Sequence, residues 1–250
     1  MSGANITLPG FNVITDVRGG SLSGVKMSLA DNQWFVVDEL MMFLRSRGFT
    51  VYVETIPPGL VLRRALGEPL IIGDLTIDAR PDIVSLPSNM LNELNVRDHF
   101  EYVENDLAIV YVGEPINDWC DLRSKRVAIP NPVTEGIGAL FREIYTEYCG
   151  DYSEFVGRDS VYLTRIHHRE IPELLRNGLI DAGVVWRTEA IYWGGFRYTV
   201  PSRNRVGRLS FALMPWQVMR LLRSLSYYVV ITLKDYTRST GLGLDCEVIN

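Results

Sequence analysis

Residues 173–201 read ELLRNGLIDAGVVWRTEAIYWGGFRYTVP. A short helical run, Ile171–Gly178, closes on a glycine, and Asp181–Trp186 (DAGVVW) follows as an apolar strand. Trp186-Arg187-Thr188-Glu189-Ala190 then opens a new segment straight from the strand end. Helix, glycine stop and buried strand in so few residues is the rhythm of parallel βα units, whose strands are covered on both faces. Ligands in such sheets bind at the carboxyl ends of strands. The segment therefore sets the fold class and one place to look for a site.

The rhythm continues upstream. Val25–Ala30 (VKMSLA) reads as a strand, Asp31-Asn32-Gln33 as a polar turn, and Phe35–Arg47 as a helix. Its apolar stripe is Val36, Val37, Leu40, Met41 and Leu44, and Gly48 stops it at the C′ position. Thr50–Ile56 is the next strand, broken by Pro57-Pro58-Gly59 before a short helix over Leu60–Leu66. Pro81–Pro87 is a buried strand whose exit, Ser88-Asn89, is placed to cap a helix over Met90–Leu94. Leu107–Val112 is a further strand, and Gly113-Glu114-Pro115 marks a crossing into a second lobe. That lobe opens with Arg126–Pro130, the loop NPVTEGIG and a helix over Ile137–Tyr148. Phe196–Pro201 returns the chain, and RLSFALM with an apolar helix near Gln217–Tyr236 completes it. The expected architecture is α/β: two doubly wound lobes joined by a hinge, with the ligand cleft between them. Residues 1–112 with 200–250 form lobe one, and residues 113–199 form lobe two.

Composition narrows the function classes. With 250 residues, 47% hydrophobic and 22% charged, the chain buries enough apolar surface to offset its ordering entropy, so disorder is excluded. A net charge of −5 argues against nucleic-acid binding, which needs a basic face to replace phosphate counterions. The charge-free run Ser224–Leu233 is about half of what a membrane-spanning helix requires, so no membrane span is expected. The start, MSGANITLPGFNV, carries no secretory leader pattern. The location is then extracytoplasmic if a leader has been removed, and cytoplasmic otherwise. Cys120, Cys149 and Cys246 are widely spaced and odd in number, and read as ordinary buried thiols.

The loops after strands carry the candidate ligand-binding residues. In Thr134-Glu135-Gly136-Ile137-Gly138, glycines precede a helix, so backbone N–H groups can approach a ligand at a positive helix end. A local alternative makes Thr134 an N-cap and Glu135 a first-turn acid. Arg187, Thr188 and Glu189 follow the DAGVVW strand, and Asp31, Asn32, Pro58 and Ser88 stand at strand ends of the first lobe. Arg187 can clamp an anion bidentately or stack on Trp186. His167-His168 are sequence neighbours, so on a helix or a strand their rings diverge and share no metal. Arg203, Arg205 and Arg208 read as a solvated basic run. No GxSxG, HExxH or Walker loop occurs.

Several of these stretches together resemble the type II periplasmic-type solute-binding proteins of ABC importers, most closely the molybdate/tungstate-binding group. The DAGVVWRTEA stretch is similar to that group's second-lobe pattern, Asn131–Gly138 to its NP loop, Pro81–Pro87 to its ADVV-type strand and Asn105–Tyr111 to the strand entering its hinge. The order agrees over Pro81–Pro201, whereas residues 1–80 agree only in rhythm. Gly136 stands where the group has proline, and Asp31-Asn32-Gln33 where it has a Ser-rich loop.

The resemblance implies a non-enzymatic binder of a small molecule or oxyanion, monomeric, without a cofactor, partnered by an ABC permease. In the tungstate branch two carboxylates complete the metal coordination of the oxyanion, and by position these are Glu135 and Glu189. Physics supports asking this of them. A carboxylate about 4 Å from a bound anion is repelled by roughly 4 kcal/mol per unit charge at an effective dielectric near 20. Such acids must bind the metal centre or hold a proton. Asp31 with Glu135 and Glu189 equally suits a cationic ligand. Two other functions stay open on the same fold: a cytosolic enzyme acting on a small organic acid, with Asp31 or Glu135 as general base, and an intracellular ligand sensor.

Overall fold

Alternate residues of the Val51–Ile56 strand enter two different cores, and this is the feature that organises the first half of the molecule. Val51 and Val53 pack with Met27, Leu29, Leu40 and Leu44, whereas Tyr52 and Ile56 pack with Val61, Ala65, Val84 and Leu86. A period of two on a strand buried on both faces requires a helix layer on each side. The computed structural model describes residues 4–8, 13–72, 74–96, 99–165 and 167–215. The helix expected near Gln217–Tyr236, and Cys246, lie outside them.

The chain divides into two compact units, one built chiefly from Ile14–Glu104 and the stretch beginning at Arg208, the other from Asn105–Gly207. In unit one, strands β1 (Val13–Gly20), β2 (Val25–Ala30), β3 (Val51–Ile56) and β4 (Ile83–Pro87) join helices α1 (Val37–Ser46) and α2 (Pro58–Leu66). Strands β2, β3 and β4 are parallel, in the spatial order β3-β2-β4. β1 adds to β3 antiparallel. α1 ends as its sequence predicts: Gly48 sits at φ +84°, a conformation that costs glycine no Cβ clash, and its N–H reaches the Arg45 carbonyl at 2.9 Å. The turn expected at Asp31–Gln33 is a 3-10 helix, Asp31–Val36, running into α1. Ser88 does not cap the turn that it opens; its hydroxyl meets Ser210 at 2.9 Å and Glu101 at 3.2 Å.

Strict alternation also sends Glu54 toward the α2 face of β3, where it is 1% exposed. Arg64 of α2 meets it at 2.9 Å and donates three further N–H groups to the carbonyls of Glu68, Ile77 and Ala79. The buried pair is thus hydrogen-bonded on all sides, the condition under which such a pair is tolerated.

Strand β5 (His99–Tyr111) carries the chain from unit one into unit two. The second unit then builds β6 (Val127–Ile129), α3 (Gly136–Tyr148), β7 (Val161–Leu163), α4 (Ile171–Arg176), β8 (Ala182–Trp186), α5 (Arg187–Trp193) and β9 (Arg197–Thr199). Strands β6, β7 and β8 are parallel, while β5 joins β8, and β9 joins β5, antiparallel. α3 covers one face through Phe141, Ile144 and Tyr145, and α4 the other through Ile171 and Leu175. Strand β10 (Val206–Leu213) runs back into unit one and pairs antiparallel with β4. Both units are therefore α/β with helices on two faces, and the antiparallel neighbours are β1, β9 and the two strands that pass between units.

The cysteine expectation is corrected. Cys120 and Cys149 are not free thiols: their Cα atoms are 5.2 Å apart and the sulfurs are bonded. Twenty-nine positions separate them in sequence, but α3 returns the chain so that its last residue lies beside the Trp119–Ser124 turn. Spacing alone carries no such information. Closing a loop of this length removes about 3–4 kcal/mol of unfolded-state entropy. Reduction, or the Cys120→Ser/Cys149→Ser pair, is expected to lower unfolding free energy in urea by up to about that amount.

Candidate functional site

The loop Asn131–Glu135 joins β6 to α3, and its geometry turns on Glu135. This residue, at the N-cap of α3 with extended backbone, makes no side-chain bond to the helix that it precedes. Its carboxylate points inward instead. Oε1 accepts the Thr164 hydroxyl at 2.5 Å and the Asn131 N–H at 3.2 Å. Oε2 accepts the backbone N–H of His168 at 2.9 Å and meets its ring Nδ1 at 2.5 Å. All four lone-pair directions are used. The alternative of Thr134 as N-cap is not what forms, and Thr134 stands exposed.

The other face of the same imidazole meets the second acid. His168 Nε2 lies 2.7 Å from Glu189 Oε2, and Glu189 is completely buried in the first turn of α5. One histidine thus bridges Glu135 and Glu189, and so ties the start of α3 to the start of α5. Burial alone would press the His168 pKa down; the flanking Glu189 and Glu135 carboxylates outweigh it and hold it at about 10. Burial likewise presses Glu135 upward, but the His168 hydrogen bond and charge, helped by His167 and Thr164, bring it to about 2. At neutral pH the pair is imidazolium and carboxylate.

His167 corrects a second expectation. The two rings do not diverge: their centroids are 3.8 Å apart and both residues are buried. Divergence holds for a regular helix or strand, and this backbone is neither. His167 is extended, at φ −171° and ψ 157°, and caps the 3-10 turn His168–Glu170. Glu170 reaches back to the N–H groups of His167 and Arg165, completing the cap. The abrupt change of backbone conformation turns successive side chains the same way, and His167 Nε2 comes to 3.8 Å from Glu135 Oε2.

The remaining second-unit candidates stand at the two helix starts. Gly136, the first residue of α3, is exposed, and a Cβ built on it meets nothing within 4 Å. Gly138 is different: a Cβ there would lie 2.3 Å from the Pro130 carbonyl, so glycine is required for close packing of helix on loop. Thr188 is held by Asn105, which donates to its hydroxyl at 2.8 Å and accepts its N–H at 3.3 Å. Arg187 approaches Asp106 at 3.5 Å, while Trp186 is buried beside Gly207. Arg205 pairs with Glu147 and Arg208 with Glu104 and Glu101, so the run expected to be simply solvated is ion-paired at these two positions.

Asp31, Asn32, Pro58 and Ser88 belong to unit one, at the ends of β2, β3 and β4. Asp31 is buried and Asn32 partly so. Beside them is a polar chain that the sequence did not announce: Gln33 donates to Ser85 at 2.7 Å, and Ser85 meets the Tyr102 hydroxyl at 2.8 Å. Its one sequence signal was a serine inside the otherwise apolar β4.

The fold is a known one. The structure is similar to the periplasmic molybdate-binding protein of Azotobacter vinelandii, at TM-score 0.67 and 12% identity, covering 89% of this chain and all of that one. It is also similar to the substrate-binding domain of a putative molybdenum ABC transporter from Clostridium difficile (TM-score 0.63, 12% identity, 86% and 94% covered). The CcmR regulatory domain of Synechocystis in complex with 2-PG shares the fold as well, at TM-score 0.58, 10% identity and coverage of 84% and 97%. The fold is the type II periplasmic-binding-protein class. Residues 38–236 match the family model of bacterial extracellular solute-binding proteins, and the chain belongs to that family. No curated protein gives a significant match. Among the described residues no helix is long and apolar enough to cross a membrane.

Removing His168 leaves two buried acids facing one another without the cation between them. His168→Ala is expected to cost about 3–5 kcal/mol of stability in urea unfolding. The pH dependence has a definite sign. The Glu135 contribution is complete above 4.5 and fades as pH falls toward 2, and the His168 contribution is complete below 6.5 and fades as pH rises through 10. In metal-free protein the urea midpoint should therefore decline on both sides of that window, and His168→Gln should flatten the alkaline side.

Proposed function

We propose that the chain is the solute-binding component of an ABC-type importer, and that it takes a small tetrahedral oxyanion of the molybdate or tungstate type. One observation carries the ligand class. The 13-residue helix α3 begins at an exposed glycine with open space beside it and no side-chain cap, while the acid at its N-cap faces the interior. First-turn N–H groups and the helix dipole favour an anion there. The repulsion expected of Glu135 and Glu189 is met by His168, which supplies the positive charge between them.

In this reading the two acids are counter-charges kept off the ligand, rather than ligands to its metal centre. Contacts come from the N–H groups of Gly136, Ile137 and Gly138, with Thr134 and the α5 start, Arg187 and Thr188, as further donors. The molybdate-binding protein and the molybdenum-transporter domain among the structural neighbours support the choice of anion. Family membership supports a permease partner, and the Cys120–Cys149 disulfide supports an oxidising, extracytoplasmic setting.

Thermal shift against molybdate, tungstate, sulfate and phosphate tests the reading. A ligand at a hundred times its Kd adds about 2.7 kcal/mol to the folded state and raises Tm by several degrees. Gly136→Asp places a carboxylate at the helix start, where the fold accepts it, and is expected to reduce anion affinity at least tenfold. Absence of any shift with all four anions would refute the oxyanion assignment.

A further inference from the structure

We infer that Glu135, His167 and His168 form a binding site for a divalent transition metal of the zinc class, with Glu189 as the residue that orients His168. This stands independently of the oxyanion reading. One carboxylate oxygen and one ring nitrogen from each histidine lie within 4.8 Å of one another, and all three residues are buried. Two imidazoles and a carboxylate are a donor set that zinc and its neighbours accept, leaving one position open.

Two of the donor pairs already approach coordination spacing. Donors around tetrahedral zinc are separated by about 3.3 Å. Glu135 Oε2 lies 2.5 Å from His168 Nδ1 and 3.8 Å from His167 Nε2, so each of these two pairs is within about an ångström of that spacing. His168 then keeps its other nitrogen, Nε2, on Glu189 at 2.7 Å. A carboxylate behind a ligating histidine fixes its tautomer and raises its basicity, the arrangement common to metal-binding imidazoles.

Charge points the same way. Two carboxylates placed on either side of one imidazole attract a dication more strongly than a single positive charge, and the ion becomes the positive centre between them. Binding balances by the release of one proton, from His168 Nδ1. His167 would bind through Nε2 with its proton on Nδ1, so the capping contacts that Nδ1 accepts, among them the Arg169 N–H at 3.3 Å, must give way. The backbone that brings the two rings together has no other use in the proposed anion site.

Metal-stripped protein is titrated with Zn2+ by calorimetry in buffers of different ionisation enthalpy, and with Co2+ by visible absorption. One equivalent is expected to bind with release of about one proton at neutral pH, and Co2+ to show the bands of nitrogen and oxygen coordination. His167→Gln leaves the Glu135–His168–Glu189 bridge in place, so it should fold as wild type yet bind Zn2+ at least tenfold more weakly. Glu189→Gln is expected to lower affinity by about tenfold or more and to change the proton release. His99→Gln should change nothing. No saturable binding at millimolar Zn2+ and Co2+, or binding indifferent to His167→Gln, overturns the site. Neither result bears on oxyanion binding, which is read separately.

Discussion

Two acids in the interior of one α/β unit share a single cation. Glu135 arrives at the start of α3 and Glu189 at the start of α5, from loops over 50 residues apart, and His168 stands between them at 2.5 and 2.7 Å. Each carboxylate buried alone would be protonated or would unfold its surroundings. The imidazole holds Glu135 well below its ordinary pKa, and it joins the two helix starts. The Thr164 hydroxyl and the N–H groups of Asn131 and His168 complete the shell around Glu135. The side chains beside these helix starts that reach solvent are Thr134 and, in part, Arg187 and Thr188, while both acids stay buried.

The same economy of charge appears in unit one. There Glu54 is forced inside by the alternation of its strand, and Arg64 answers it from the next helix. Neither unit avoids buried charge, and in each a buried acid is answered by a cation from a later segment of the chain. The difference lies in use. The Glu54–Arg64 pair sits beneath α2 and serves packing, whereas the Glu135–His168–Glu189 bridge sits at strand ends, where this fold class binds its ligands.

Much of the architecture was legible because hydrophobic period and glycine stops are local signals. The strands at Val25–Ala30, Val51–Ile56 and Ala182–Trp186, the α1 stop at Gly48 and the α3 start at Gly136 follow from them directly. Candidate residues at strand ends were legible for the same reason, since the fold class says where to look. What was missed depends on long-range encounter. The Cys120–Cys149 bond requires knowing that α3 turns the chain back. The approach of His167 to His168 requires knowing that the backbone changes conformation between them. Glu135 and Glu189 were singled out as a pair, but sequence gave no means of knowing that a histidine already lies between them.

Helix α3 is fastened at both extremities: ionically where it begins, through Glu135, and covalently where it ends, through Cys149. A rod pinned in two places cannot swing to follow its guest. If the proposed anion binds at its first turn, it meets N–H groups already aimed, and little ordering entropy is spent on arrival. For such a ligand, discrimination among ions of equal charge would fall to radius, since a stiff socket tells ions apart by fit.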